Sequence, residues 1–169
     1  MDHERCEACG FDGGRYDDTS LTDALRSLGP RWRAQLGEAG SELRERPDPD
    51  VWSAIEYAAH SRDITALHVF GVEQALTLDE PSFPEIADDL VDAAAIDYAD
   101  ADPTIVADAL EDHATRLAQL ADDPGPGAWT RGLIIGENRL DVRRLLEHAL
   151  HDSLHHLGDV ERGLTHLRA

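Results

Sequence analysis

The residues best equipped for chemistry are His60 and the run His151-Asp152-Ser153-Leu154-His155-His156 near the end of the chain. Neutral imidazole is the commonest metal ligand among side chains. His151 and His155 stand four residues apart, which on a helix puts their Cβ atoms about 6 Å from each other on one face. Two rings so placed can reach one ion at about 2.0–2.1 Å each. His60 falls inside an apolar helical stripe with Ile64 and Leu67 and is expected to point into the core. Together they make a candidate three-histidine site. Two plainer readings stand beside it. His60 could be a neutral core histidine satisfied by one hydrogen bond. His151 and His155 could be a solvated helix edge, because they lie about 60° and 100° from Leu154, on the flank of the Leu150/Leu157 stripe. His148 shares that edge as a substitute ligand or a pocket wall, whereas His156 points elsewhere and is assigned to structure.

Sulfur chemistry is confined to Cys6-Glu-Ala-Cys9, followed by Gly10. This is half of a zinc knuckle, two ligands short of a tetrahedron. His3, a histidine from the rest of the chain, or a second copy of the pair could complete it. A redox dithiol and a pair of reduced thiols holding a tight turn are the alternatives, and a static disulfide is the weaker reading for a reducing compartment. Asp63, Asp159 and Glu56 are candidates for orienting ligand histidines, against the commoner fate of acidic residues as solvated surface groups.

Composition removes several function classes. The net charge of −20 repels phosphate backbones and anionic lipid, so neither nucleic acid nor a membrane surface is expected as a partner. All 15 basic residues are arginine, which excludes a Schiff-base lysine and a lysine phosphate clamp. No apolar run approaches the roughly 20 residues that span a bilayer, and the N-terminus lacks the marks of a signal peptide. A cytoplasmic protein is expected. With 41% hydrophobic but only 5% aromatic residues, the chain has the composition of packed helices rather than of a sandwich.

The elements that must position the histidines follow from periodicity and punctuation. Residues 1–18 carry no helical period and read as an irregular leader; residues 19–169 read as one all-α domain. A first helix is predicted over Leu21–Arg46, kinked or split at Gly29-Pro30. A second, capped by Asp50, runs from about Trp52 to Leu78. Residues 79–102 form a long connection that could hold a short helix over Ile86–Ala95. Asp102-Pro103 starts a third helix ending near Asp122, and the last spans about Asp141–Leu167 after a short apolar patch at Leu133–Ile135. The long link predicts that the second and third helices run parallel, in a four-helix bundle with a crossover.

Two motifs, Trp52-Ser-Ala-Ile-Glu-Tyr-Ala-Ala-His60 and His151-Asp-Ser-Leu-His155-His156-Leu-Gly-Asp159, resemble the DinB-like superfamily over about residues 20–167. That superfamily includes YfiT-type metal-dependent hydrolases and the mycothiol-dependent maleylpyruvate isomerase. The resemblance implies a metal held by a histidine after an early Trp and by a late H/E-x-x-x-H pair, here His60, His151 and His155. It also implies the parallel second and third helices. The chain ends at Ala169 with no room for the isomerase's additional C-terminal domain, so isomerisation is not the expected reaction. Three imidazoles leave positions open on an ion, as in catalytic sites. Zinc is the first expectation, with nickel, iron or manganese as alternatives. The expected function is a low-molecular-weight-thiol S-transferase or a small-molecule hydrolase; a non-catalytic metal-binding or stress-response protein is the alternative. A homodimer is a further expectation.

Overall fold

The computed structural model describes residues 2–85, 97–122 and 124–169. The short helix considered over 86–95 lies outside the described residues. Four long helices occur among those described: α1 (Asp18–Ala39), α2 (Ala54–Thr77), α3 (Pro103–Ala121) and α4 (Val142–Leu167). None is long and apolar enough to cross a membrane.

Each helix starts where a side chain can satisfy its free backbone N–H groups. The carboxylate of Asp17 accepts from the Ser20 N–H, that of Asp102 from Thr104 and Ile105, and that of Asp141 from Arg144. α2 is capped by Ser53, not by Asp50 as expected. Ser53 and Glu56 form a reciprocal capping box, which the S-x-x-E spacing could have shown. The Glu56 carboxylate is 2% exposed and is also gripped by Arg46.

Contacts along the helices give their directions. Asp18 pairs with Arg143 and Trp32 with Ser153, so α1 and α4 run parallel. Tyr98, just ahead of α3, bonds Asp63 while Arg116 pairs with Glu73, so α2 and α3 run parallel as predicted. Arg33 against Asp108 and Arg26 against Asp122 make α1 and α3 antiparallel. Leu21, Leu25, Leu28 and Trp32 fill the core from α1 and meet Leu110, Leu117, Leu146 and Leu150.

Three features depart from or go beyond the sequence-based expectations. Pro30 does not split α1, which continues through it to Ala39; the helix ends early instead, at Gly40 with φ +51°. The apolar patch at 133–135 belongs to a small sheet. β3 (Ser82–Phe83) pairs parallel with β4 (Gly132–Ile135), which pairs antiparallel with β5 (Asn138–Asp141). The leader is also ordered. β1 (Arg5–Cys6) and β2 (Phe11–Asp12) form a hairpin whose turn closes with the Gly10 N–H on the Cys6 carbonyl at 2.9 Å. Gly10 takes φ +75°, which favours glycine. Sequence periodicity misses this hairpin because two-residue strands carry no period.

Candidate metal centres

The structure places the three expected ligands in three groups of side chains, His151 belonging to two of them. One ligand atom each from His60, Asp152 and His156 lie within 4.8 Å of one another. The same limit encloses one atom each from Cys6, Cys9, His151 and His155. Among the described residues, no such group holds His60 together with His151 or His155.

The physical reason is the rotation of α4. Ser153 is 0% exposed and marks the core side of the helix. At about 100° per residue, His151 and His155 each lie about 160° from it, on the outer face. Asp152 and His156 lie about 100° and 60° from Ser153 on the flank that meets α2. The i,i+4 pair facing His60 is thus shifted by one residue from the pair the motif suggested. His156, assigned to structure from the sequence, faces the site.

On the α2 side, His60 is half-buried among rings. Trp52 lies 5.2 Å from it and His156 5.1 Å, centroid to centroid. Its Nδ1 is buried without a hydrogen-bond partner. His156 is oriented by Asp159, whose carboxylate stands 2.9 Å from Nδ1, and its Nε2 lies 3.6 Å from Asp152 Oδ1. Tyr57 packs on the His156 ring at 5.2 Å. Burial pushes the His60 pKa below its ordinary value, against the opposing pull of Asp152. Burial first, then the Asp63 charge, pushes the Tyr98 phenol up to about 12, so it stays protonated and donates to Asp63 at 3.0 Å. Of the expected orienting acids, Asp159 serves a ligand candidate, whereas Asp63 binds Tyr98 and Arg62, and Glu56 is used up in the helix cap.

On the outer face, the leader covers α4. Phe11 stacks on His151 at 5.2 Å, and Cys6 Sγ lies 3.8 Å from His155 Nδ1. His151 Nδ1 is 2.9 Å from Glu4 Oε1, and its Nε2 is buried without a partner. His148 lies 3.4 Å from the other Glu4 oxygen, and Glu4, His148 and His151 form the third group, with one ligand atom each within 4.8 Å of the others. A separate cleft of about 380 Å³, bordered by Asp18, Arg26, Asp122 and Trp129, lies away from every one of these histidines.

Residues 21–160 match the profile of the DinB superfamily. The chain belongs to the DinB superfamily. A search of curated proteins finds no match to this DinB protein. Among solved structures it is similar to YfiT from Bacillus subtilis, described as a probable metal-dependent hydrolase with an unusual four-helix bundle topology. The TM-score is 0.81 at 14% identity, over 98% of this chain and 94% of that one. At this identity the likeness is one of fold, and it includes the crossover bundle. The family match begins after the leader, at the first buried leucine of α1.

Sequence reasoning missed Asp152 and the aromatic wall of Trp52, Tyr57 and Tyr98. The usable signal for Asp152 was its own i,i+4 spacing to His156, combined with a wheel centred on Ser153 instead of Leu154.

Proposed function

We propose that this DinB protein is a divalent-metal-dependent enzyme acting on small molecules, by hydrolysis or by transfer of a low-molecular-weight thiol, with the ion held by His60, Asp152 and His156. The observation that carries this reading is the buried, unpartnered Nδ1 of His60, set beside a carboxylate and a second imidazole. A buried polar atom without a partner costs about 1–3 kcal/mol, and a metal ion removes that cost. The similar fold of YfiT, described as a probable metal-dependent hydrolase, supports the same class.

Two imidazoles and one carboxylate suit zinc, and equally iron, manganese or nickel. Such an ion supplies Lewis acidity, polarising a substrate carbonyl and acidifying a water or thiol beside it. The protein's own groups prepare the place. Asp159 accepts from His156 Nδ1 and so fixes the tautomer that leaves Nε2 free to bind. The rings of Trp52, Tyr57 and Tyr98 hold bulk water off the two histidines. The Tyr98 hydroxyl is committed to Asp63, which keeps a phenolic proton out of the reaction.

Metal analysis of protein purified without a nickel column tests this assignment. His60→Ala and His156→Ala are each expected to lose one divalent ion per chain, and Cys6→Ser with Cys9→Ser to keep that ion. Full metal content in both histidine variants overturns the assignment, and loss of the same ion in His155→Ala restores the three-histidine set. Turnover is read as metal-dependent consumption of esters, amides, or electrophiles with a thiol. No rate above the thiol-only control across the panel favours a metal-binding protein without catalysis.

A further inference from the structure

We propose that Cys6, Cys9, His151 and His155 form a second, closed metal site, a Cys2His2 zinc centre that fastens the N-terminal hairpin onto the outer face of α4. The proposal does not depend on the ligands of the first site, and its test separates the two.

Four observations meet here. The sulfur and nitrogen atoms are already at ligand spacing. Bond lengths of about 2.3 Å to sulfur and about 2.0–2.1 Å to nitrogen put neighbouring ligands of a tetrahedron about 3.4–3.8 Å apart. Cys6 Sγ and His155 Nδ1 are 3.8 Å apart, and one ligand atom of all four residues lies within 4.8 Å of the rest. The second observation is the unpartnered Nε2 of His151, buried under the leader. Burying a ring nitrogen without a partner costs free energy, and an ion bound there removes that cost.

The third is the position of Glu4. Its carboxylate stands on His151 Nδ1 at 2.9 Å and also pairs with Arg144. A carboxylate behind the far nitrogen of an imidazole is the usual support for a zinc-bound histidine, because it fixes the tautomer and raises ligand basicity. The fourth is the hairpin itself. Cys6 and Cys9 are both free thiols, and the turn between them closes on Gly10, the conformation that aims two sulfurs of a Cys-x-x-Cys-Gly segment to one side. The two thiols lie ahead of the stretch that the superfamily profile matches.

Four protein ligands leave no open position, which makes the site structural rather than catalytic. Two thiolates favour zinc over magnesium, calcium or manganese. On binding, each thiol releases its proton to solvent, and no electron is transferred.

The test uses the full chain, stripped and reloaded with zinc or cobalt(II). Cobalt-loaded protein is expected to show thiolate-to-metal charge-transfer absorption together with intense tetrahedral bands. Cys6→Ser with Cys9→Ser abolishes both, while His60→Ala leaves them in place. His155→Cys, which keeps four ligands, retains zinc and strengthens the charge-transfer absorption, so the proposal stays open to refutation even if a serine variant folds poorly. Glu4→Gln weakens zinc affinity about 10- to 100-fold. Cobalt spectra without a thiolate band overturn the proposal. So do equal rates of thiol modification with and without zinc, or a Cys6–Cys9 disulfide in metal-loaded protein.

Discussion

Replacing Glu147 by glutamine is expected to destabilise the protein by about 3 kcal/mol. Glu147 is on α4, its side chain is 0% exposed, and its carboxylate is the anchor of the leader. Oε2 accepts the Glu4 backbone N–H at 2.8 Å. Oε1 faces Arg143 Nε at 2.6 Å and His3 Nδ1 at 2.7 Å. A glutamine in the same place turns one of these two positions into an NH2 group. Whichever way the amide is rotated, that donor meets another donor. Breaking a buried ion pair by removing one charge costs about 3–5 kcal/mol. The lower end applies because Arg143 keeps Asp18 at 2.6 Å and the Tyr16 carbonyl at 2.5 Å. For a chain of this size, about 3 kcal/mol corresponds to a fall in Tm of roughly 6–12 °C. Urea unfolding at pH 7 measures it as a lower midpoint at constant slope. A loss under about 1 kcal/mol would mean that the carboxylate does not carry the leader's attachment, and the ion-pair argument would be refuted.

Gly29→Ala is expected to destabilise by about 1–3 kcal/mol, although alanine is the better helix former by roughly 0.5–1 kcal/mol. A Cβ at Gly29 would lie 2.6 Å from the Glu111 Cα, where backbone must move; a thermal melt at or above the parent's would contradict the close approach of α1 and α3. His68 is 7% exposed, with its Nδ1 donating to the Ile64 carbonyl at 2.8 Å. Burial first and the neighbouring His148 charge second lower its pKa from 6.5 to about 4, with Asp152 pulling the other way. The neutral ring is favoured by folding, so its contribution is complete above about pH 6.5 and disappears as pH falls toward 4, roughly 3 kcal/mol in all. His68→Leu should flatten the stability curve over that window; an unchanged slope places the acid sensitivity elsewhere.

Much of the bundle was legible because helices announce themselves at both ends. Asp102-Pro103 and Asp141 mark their helix starts in one or two residues, and the long stretch after Leu78 could return only along the bundle. The small elements were not legible. Two-residue strands at 5–6 and 11–12 have no hydrophobic period, and their pairing depends on an α4 surface more than 130 residues away. The site was half legible. His60 was singled out on a stripe with Ile64 and Leu67 that does not face the core: Leu67 is 46% exposed, and the buried side of α2 carries Ser61, Thr65 and His68 instead. The late pair could not be assigned to a face, since His151/His155 and Asp152/His156 satisfy the same spacing and only the rotation of α4 decides between them. Trp32 fixes that rotation by donating its indole N–H to Ser153 at 2.9 Å, a contact between residues 121 positions apart.

The one-residue offset along α4 means that the helix is keyed, like a shaft with a slot on either side. Neighbours in sequence look in different directions: 152 and 156 toward α2, 151 and 155 toward the leader. Turning the helix by about 100°, the step from one residue to the next, would in one sense bring 151 and 155 to the α2 side and in the other bring 152 and 156 to the leader, each time leaving the opposite side without its pair. An insertion or deletion of one residue ahead of 151 would do the same. Neither face can therefore be retuned by sliding or rotating the helix, and change between 151 and 156 must come one side chain at a time.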